Sequence, residues 1–385
     1  MLRAGLLLPR STFYPSLGID FFNGLKELLK YKQIKDDFLL TTDNIGFGVN
    51  EQEIYTKAEK MILQDDVDLV ILFADVMITE LLQPLFSATN KILLTVNFGA
   101  NFPENWTPGT TAITHSLNFC WHTSLTGELA AKETNKQAVN VVSYYDGGYR
   151  QCFCMLNAHQ VNGGIPVYNH ITDIRIEQFT LGPVLSALKE NTDVNTLLCL
   201  FSGDQAERFY AEVTRNTELS RLNIYVSPMM LDEPLNLSAG KTESVCHVKG
   251  YIPWHSSLEN EANISFQKHY NENTGNKANY FSLLGWESGL LLHEIKKQHD
   301  TGNTNASNII VALTNIVVES PRGRIKTDTE THYTYGPAYL AERSKLSDIK
   351  IVKELNGADG SWQKFTKTKL SSGESSNWRN TYLCI

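Results

Sequence analysis

The sequence has little positive charge and no basic run. It carries 34 Lys and Arg residues against 42 Asp and Glu residues, which gives a net charge of −8 at pH 7. Binding to a nucleic-acid backbone needs clustered Lys and Arg side chains. We therefore do not expect nucleic acid among the partners of this protein.

Long apolar segments are also missing. The longest strongly apolar stretch, 69–78, is shorter than a membrane-spanning helix and contains Asp75. A secretory signal would need a basic start, an apolar core and a small-residue cleavage site, but the first predicted strand begins almost at once. We expect either a periplasmic protein whose export signal is absent from this sequence or a cytoplasmic protein.

The sequence lacks the motifs that announce common catalytic and metal sites. It contains no G-x-S-x-G, G-x-x-x-x-G-K-[ST], H-E-x-x-H or C-x-x-C pattern. Its six cysteines are irregularly spaced, and Cys152 and Cys154 point in different directions from a predicted helix, so a metal site with His159 is not expected. We expect buried free thiols, no cofactor, no metal and no catalysis.

The sequence does contain apolar runs that alternate with amphipathic segments. Residues 5–8 predict a buried strand, a polar loop through Tyr14 follows, and the spacing of Leu17, Phe21 and Leu25 predicts a helix. The alternation continues to about residue 96, and a second series follows between 128 and 226. Such an order predicts an α/β fold with parallel sheets and right-handed crossovers.

Three segments resemble the periplasmic binding proteins of the branched-chain amino acid type. They are the opening pattern L-L-P-x-S-x-x-Y-x-S-L-G-x-D-x-x-N-G-L, the helix Y-F-S-L-L-G-W-E-S-G-L-L-L at 280–292, and the turn S-P-R-G at 320–323. The resemblance implies the type I fold, with two doubly wound parallel-sheet lobes joined by a three-crossing hinge. It divides the chain into 1–119 plus 251–322 and 120–250 plus 323–385, with a ligand cleft that closes like a flytrap.

Ligand contacts are expected in the loops at the carboxyl ends of the strands. In the first lobe these loops and the helix that follows supply Tyr14, Asp75, Val76, Thr79, Asn97, Phe98 and Gly99, and in the second lobe they supply Tyr149, Ser202, Asp204 and Met229. Trp121 is added because it lies near a predicted crossing between the lobes.

Several of these residues have a second interpretation. Asp75 is either a contact for a ligand amine or hydroxyl or the cap of the following helix. The resemblance implies that Asp204 receives the ligand's ammonium group, and the alternative is again a helix cap. The resemblance implies that Tyr149 closes over the ligand, whereas the alternative is a tyrosine packed on its helix. Phe98, Trp121 and Met229 would suit an apolar ligand but are also typical core residues.

The resemblance implies a solute-binding receptor of an ABC importer. Its ligand would be an amino acid or a related small amphipathic molecule, bound by closure of the two lobes, and its protein partner would be the membrane permease. The alternative is a cytoplasmic amide or amino-acid sensor that regulates a partner protein through the same fold.

Overall fold

The computed structural model describes residues 1–232, 244–345 and 348–368. Contacts divide the chain into two compact units, and the chain passes between them after Leu117, Ser257 and Pro337. The sequence places these passages at 119, 250 and 322. The third differs because Gly323–Thr327 pairs with Val317–Ser320, and Thr334–Tyr335 pairs with Gly323–Thr327, inside the first unit. Residues 369–385 of the expected second lobe lie outside the described residues.

The first unit begins with alternating strands and helices. The strands are β1 Leu2–Leu8, β2 Phe38–Asn44, β3 Leu69–Phe73, β4 Ile92–Asn97 and β5 Ala112–Ser116, and the helices are α1 Leu17–Tyr31, α2 Glu51–Leu63 and α3 Val76–Thr89. The strands form a parallel sheet in the order β2-β1-β3-β4-β5. This confirms the predicted α/β class, while β5 was not predicted.

The second unit follows the same alternation. It contains α4 Phe119–Glu133, β6 Gln137–Val142, α5 Arg150–Val161, β7 Ile165–Ile171, α6 Gly182–Glu190, β8 Thr196–Leu200, α7 Gly203–Arg215, α8 Thr217–Ser220, β9 Asn223–Val226, α9 Pro228–Asp232 and β10 Ser244–Ile252. Strands β6 to β10 are parallel. The fold is the doubly wound arrangement that the resemblance implied.

The chain then returns to each unit once more. In the first unit it forms α10 Glu261–Thr274, α11 Tyr280–Asp300, α12 Ala306–Leu313, β11 Val317–Ser320, β12 Gly323–Thr327 and β13 Thr334–Tyr335. In the second unit it forms β14 Tyr339–Lys345, β15 Asp348–Glu354 and α13 Ala358–Lys367. The sheet of the second unit has the order β15-β14-β10-β9-β8-β6-β7, and β14 and β15 are antiparallel to their neighbours.

Asparagine defines the start of many helices. Asn50, Asn260, Asn279 and Asn305 each accept a hydrogen bond through the side chain from the backbone N–H three residues later. This satisfies one of the amide donors that a helix leaves unpaired at its start. At Asn279 the contact is reciprocal, since Ser282 bonds back to the Asn279 N–H. Local side-chain chemistry therefore sets where these helices begin.

Glycine allows two pairs of helices to approach closely. A Cβ atom on Gly24 of α1 would lie 2.0 Å from the Ser282 carbonyl oxygen, and one on Gly285 of α11 would lie 1.9 Å from that of Phe21. In the second unit, a Cβ on Gly127 of α4 would lie 2.1 Å from the carbonyl oxygen of Met155 in α5. Each pair of helices can pack at this distance only because these positions lack a side chain.

Among the described residues, no helix is long and apolar enough to cross a membrane. Four cysteines have side chains that the structure describes, Cys120, Cys152, Cys154 and Cys199; none of these four forms a disulfide, and Cys152 is the only one of them that is not fully buried. In the same part of the chain, no three His, Cys, Asp or Glu residues are grouped as a metal site would require.

Candidate functional site

Each of the two large sheets has one place where the order of its strands reverses. In the first unit, β1 pairs with β2 on one side and with β3 on the other. In the second unit, β6 pairs with β7 on one side and with β8 on the other. Loops on either side of such a reversal leave in opposite directions and open a crevice, which is where doubly wound sheets bind their ligands. We call these places switch point 1 and switch point 2.

The loop after β1 forms one side of switch point 1. Ser11 is buried, and its Oγ accepts a hydrogen bond from the Tyr14 N–H at 3.0 Å. This bond folds the loop so that the half-buried Tyr14 ring lies 5.3 Å from the ring of Phe281, between centroids. Tyr14 therefore borders the crevice, in contact with the first turn of α11.

Aromatic rings continue from Tyr14 along this edge of the sheet. The Phe281 ring is 5.4 Å from that of Phe98, which is 5.9 Å from that of Phe73 at the end of β3. Both contacts have the edge-to-face geometry that aromatic pairs favour. Phe98 is fully buried, whereas Phe281 is 5% exposed. We call these four residues, Tyr14, Phe73, Phe98 and Phe281, the aromatic row.

Asp75 forms the other side of switch point 1, and both oxygens of its carboxylate accept hydrogen bonds from the protein. Oδ1 accepts from the Val76 N–H at 2.7 Å at the start of α3, and Oδ2 accepts from Asn101 Nδ2 at 2.6 Å. The side chain is 4% exposed. The capping interpretation of Asp75 thus accounts for its position. Val76 lies beside it in the first turn of α3 and is 9% exposed.

The other residues expected in the first lobe are held by local hydrogen bonds. Asn97 donates from Nδ2 to the Ala74 carbonyl at 3.3 Å and accepts from the Gly99 N–H at 3.0 Å. Gly99 has a φ of 69°, a conformation that favours glycine. Thr79 Oγ1 donates to Thr95 Oγ1 at 2.9 Å. These bonds fix the loop after β4 against the start of α3.

Switch point 2 is built around a buried carboxylate. Asp146 lies in the loop after β6 and is completely buried. Its Oδ2 accepts hydrogen bonds from Ser143 Oγ at 2.6 Å and from Ser202 Oγ, which follows β8, at 2.9 Å. Its Oδ1 is buried and has no hydrogen-bond partner. One carboxylate thus joins the loops on the two sides of the strand reversal.

Burial dominates the acidity of Asp146. It raises the pKa of this carboxyl group to about 6, although hydrogen bonds from Ser143, Ser202 and backbone N–H groups act in the opposite direction. A buried carboxylate is costly unless donors surround it. Oδ2 receives both hydroxyl donors, whereas Oδ1 is buried without a hydrogen-bond partner.

A third serine continues this polar edge. Ser143, Ser202 and Ser227 follow the neighbouring strands β6, β8 and β9, and all three are buried. Ser227 donates its N–H to the Cys199 carbonyl at 3.0 Å, whereas its Oγ has no hydrogen-bond partner. The sequence signal is a serine within two residues of an apolar run, repeated three times. Ser143, Asp146 and Ser227 are not among the residues predicted for the site.

The structure places the other residues predicted for the second lobe in different surroundings. Ser202 is at switch point 2, and Tyr149 is 5% exposed at the start of α5, three residues after Asp146. Asp204 is exposed in the first turn of α7. Met229 lies in α9 and is 3% exposed.

Trp121 lies within α4 and is packed against α13. It is 1% exposed, its Nε1 donates to Ser361 Oγ at 3.1 Å, and its ring is 5.7 Å from that of Trp362. The ring also borders a cavity of about 70 Å³ between α4, α5 and α13. Contacts inside the second unit thus account for the burial of this residue.

Comparisons with known proteins agree with this architecture. Residues 2–346 match the family described as periplasmic binding protein. No curated protein sequence matches the chain.

Solved structures share the fold at low sequence identity. A branched-chain amino acid ABC transporter periplasmic ligand-binding protein from Burkholderia xenovorans LB400 has a TM-score of 0.75 at 11% identity, over 96% of this chain and 99% of its own. An ABC transporter solute-binding protein from Rhodopseudomonas palustris HaA2 in complex with p-hydroxybenzoic acid has a TM-score of 0.74 at 15% identity, over 94% and 98%. One from R. palustris in complex with benzoate has a TM-score of 0.69 at 19% identity, over 93% and 95%.

The matched family and these structures are binding proteins. They give no support to the alternative of a regulatory sensor.

Proposed function

Because the chain belongs to the periplasmic binding protein family, whose members bind solutes without catalysis, we propose that it is the solute-binding component of an ABC importer. It captures a small amphipathic molecule in the periplasm by closing two lobes and delivers it to a membrane permease. The amino acids and their relatives are the first candidate ligands.

The observation that carries this proposal is the chemistry of each unit at its own switch point. Switch point 1 offers the aromatic row, of which Tyr14 is half-buried and therefore accessible at the crevice. Switch point 2 offers hydroxyl groups and a carboxylate oxygen that lacks a partner. Apolar surface with a few aimed polar groups is typical of sites for small organic ligands.

Aromatic acids are the second candidate class. The aromatic row favours a flat apolar ligand body, since offset and edge contacts between rings add to the gain from burial. Two structures with the same fold are complexes with benzoate and with p-hydroxybenzoic acid. The occupied carboxylate of Asp75 disfavours a second anion at the start of α3, so the ligand carboxylate has to be held elsewhere.

A thermal-shift panel tests the proposal. The purified protein is heated with each of the twenty amino acids, their amides, benzoate, 4-hydroxybenzoate and 3-phenylpropanoate, and each hit is confirmed by calorimetric titration. A ligand at about 100 times its dissociation constant adds roughly 2.7 kcal/mol to the free energy of unfolding. We expect a rise of several degrees in Tm for at least one member of these classes. If none of these compounds raises the Tm or gives heat on titration, the proposed ligand classes are wrong.

A further inference from the structure

The cavity between α4, α5 and α13 is separate from switch point 2. Its volume is about 70 Å³, and the described residues that line it belong to these helices or directly follow them, none to the loops after β6 and β8. Asn157, one of the lining residues, lies about 10 Å along the axis of α5 from its start at Arg150. The cavity therefore lies outside the crevice at the strand reversal.

The floor of this cavity is apolar and its rim is open to solvent. Trp121, Cys154 and Ala158 form part of the floor and are all buried. Val161 and Lys364 lie on the rim, and both side chains are largely exposed. A small molecule can thus enter from solvent and bury apolar surface against the floor.

Polar side chains along the walls have hydrogen-bonding capacity that the protein does not use. Within the described part of the chain, neither the Ser124 hydroxyl nor the Asn157 amide makes a hydrogen bond. Ser361 Oγ accepts from Trp121 Nε1 at 3.1 Å, which leaves its O–H available as a donor. Asn162 Nδ2 donates to a backbone carbonyl of α5 at 2.8 Å, which leaves its Oδ1 as an acceptor. The walls therefore present both donors and acceptors.

The charged groups of the lining offset each other. Lys364 Nζ lies 4.0 Å from Glu128 Oε2, and Glu128 also pairs with Lys132 one turn later on α4. A carboxylate group only accepts hydrogen bonds and an ammonium group only donates them, whereas a hydroxyl group does both. Walls of mixed donors and acceptors without an isolated charge therefore favour a neutral ligand that carries hydroxyl groups.

The volume of the cavity limits the size of that ligand. A cavity needs roughly 10–15 Å³ to hold one water molecule, so about 70 Å³ accommodates roughly five to seven atoms of this size. We propose that the cavity is a second binding site, for a small neutral polyol of about the size of glycerol. The carbon chain of the polyol packs against Trp121 and Ala158, and its hydroxyl groups bond to Ser124, Asn157 and Ser361. This site is additional to solute capture and joins α13 to α4 and α5.

Indole N–H signals of the tryptophans report on this site in solution. The sequence has six tryptophans, and the signal of Trp121 is identified in 15N-tryptophan-labelled protein by its loss in Trp121→Phe. Glycerol is titrated in polyol-free buffer and compared with 1-propanol, which keeps only one of its hydroxyl groups, and with lactate, which carries a carboxylate. We expect glycerol to shift the Trp121 signal with half-saturation below about 10 mM, and the other two probes to bind at least fivefold more weakly. The signal of Trp286, in the first unit, should not move.

Two substitutions test the location of the site. Ala158→Leu fills the floor of the cavity and should abolish the glycerol-dependent shift. Asn157→Ala removes an amide from the wall, should raise the half-saturating concentration at least threefold, and keeps the test available if Ala158→Leu does not fold. Gln160→Ala is the matched control, because Gln160 is exposed on the same helix and does not line the cavity. It should leave the titration unchanged.

The opposite results would overturn the proposal. A Trp121 shift that grows linearly up to about 100 mM glycerol, or that is equally large at Trp286, is an effect of the solvent and not of a site. Unchanged half-saturation in Asn157→Ala, or in folded Ala158→Leu, places the binding elsewhere. Binding of 1-propanol or lactate within fivefold of glycerol shows that the polyol class is wrong. None of these results bears on the solute-binding function, which the thermal-shift panel tests separately.

Discussion

Arg322 and Glu287 form a buried ion pair in the first unit. Arg322 Nε donates to Glu287 Oε1 at 2.9 Å, and the two side chains are 1% and 0% exposed. Ser320 also donates to this carboxylate, and Arg322 Nη2 donates to the Ser116 carbonyl at 3.2 Å. The pair thereby connects α11, the turn between β11 and β12, and Ser116 at the end of β5. Ser116 lies three residues before the start of α4, the first helix of the second unit.

Removal of Arg322 should therefore be costly. Burial alone would raise the pKa of Glu287, but the charge of Arg322 and hydrogen bonds from His115 and Ser320 lower it, so Glu287 is ionised in the fold. Arg322→Met leaves that charge buried without its cation. We expect the free energy of unfolding to fall by about 3–5 kcal/mol in urea titrations.

An exposed arginine nearby provides the control for this prediction. Arg324 pairs with Glu319 at 3.2 Å, with side chains 68% and 71% exposed. Arg324→Met should change the free energy of unfolding by no more than about 1 kcal/mol. A cost for Arg322→Met as small as this would mean that the buried pair contributes nothing to stability.

The close approach of α1 and α11 predicts a second stability effect. Gly285→Ala places a methyl group against the Phe21 carbonyl, at a position where it would lie 1.9 Å away, and the obstructing atom belongs to the backbone. The helices must separate, so we expect a loss of at least about 1–3 kcal/mol from the free energy of unfolding. Gly360→Ala in α13 meets nothing within 4 Å and should stabilise by up to about 1 kcal/mol. Equal effects of the two substitutions would contradict the observed helix packing.

The buried carboxyl of Asp146 predicts a dependence of stability on pH. Its pKa is raised from the ordinary value to about 6 in the folded protein. A group of this kind favours the fold while protonated, below about pH 4, and this contribution is lost as the pH rises through about 6. Asp146→Asn cannot ionise, so its stability relative to the native protein should increase between pH 4 and pH 6.5 by up to about 3 kcal/mol.

Urea titrations at several pH values measure this difference. Asp173→Asn serves as the comparison, since a hydrogen bond from Arg175 lowers the pKa of Asp173, which reverses the sign of any effect. A difference between Asp146→Asn and the native protein that stays constant with pH would show that Asp146 does not titrate in this range.

Two members of the aromatic row should respond differently to substitution. Phe98 is fully buried between Phe73 and Phe281, so Phe98→Ala should lower the free energy of unfolding by about 3–5 kcal/mol. Tyr14 is half-buried on the loop after β1, and Tyr14→Ala should cost much less stability. If Tyr14 contacts the solute, Tyr14→Ala weakens binding at least tenfold in calorimetric titrations, whereas unchanged affinity would assign the ring to packing alone.

Local sequence patterns were sufficient to predict most of the elements. The run D-L-V-I-L-F predicts a buried strand, and β3 spans Leu69–Phe73. Helix α3 begins at Val76 because the side chain of Asp75 caps it. Strand β5 was not predicted, since its sequence A-I-T-H-S contains a histidine and two hydroxyl residues. Those polar groups are accommodated by the fold: His115 lies 2.9 Å from Thr334 Oγ1, more than two hundred residues away.

The sequence by itself determined the α/β class, the two series of alternating elements and the loops in which a ligand site would lie. These follow from periodicity and from strand ends, which are properties of neighbouring residues. Only the tertiary structure decided which side chains in those loops remain available. Asp75 and Asp146 are both acidic residues after a buried strand, yet Asn101 and the Val76 N–H occupy one carboxylate while one oxygen of the other has no donor. That difference depends on partners brought together by folding, so no local pattern contains it.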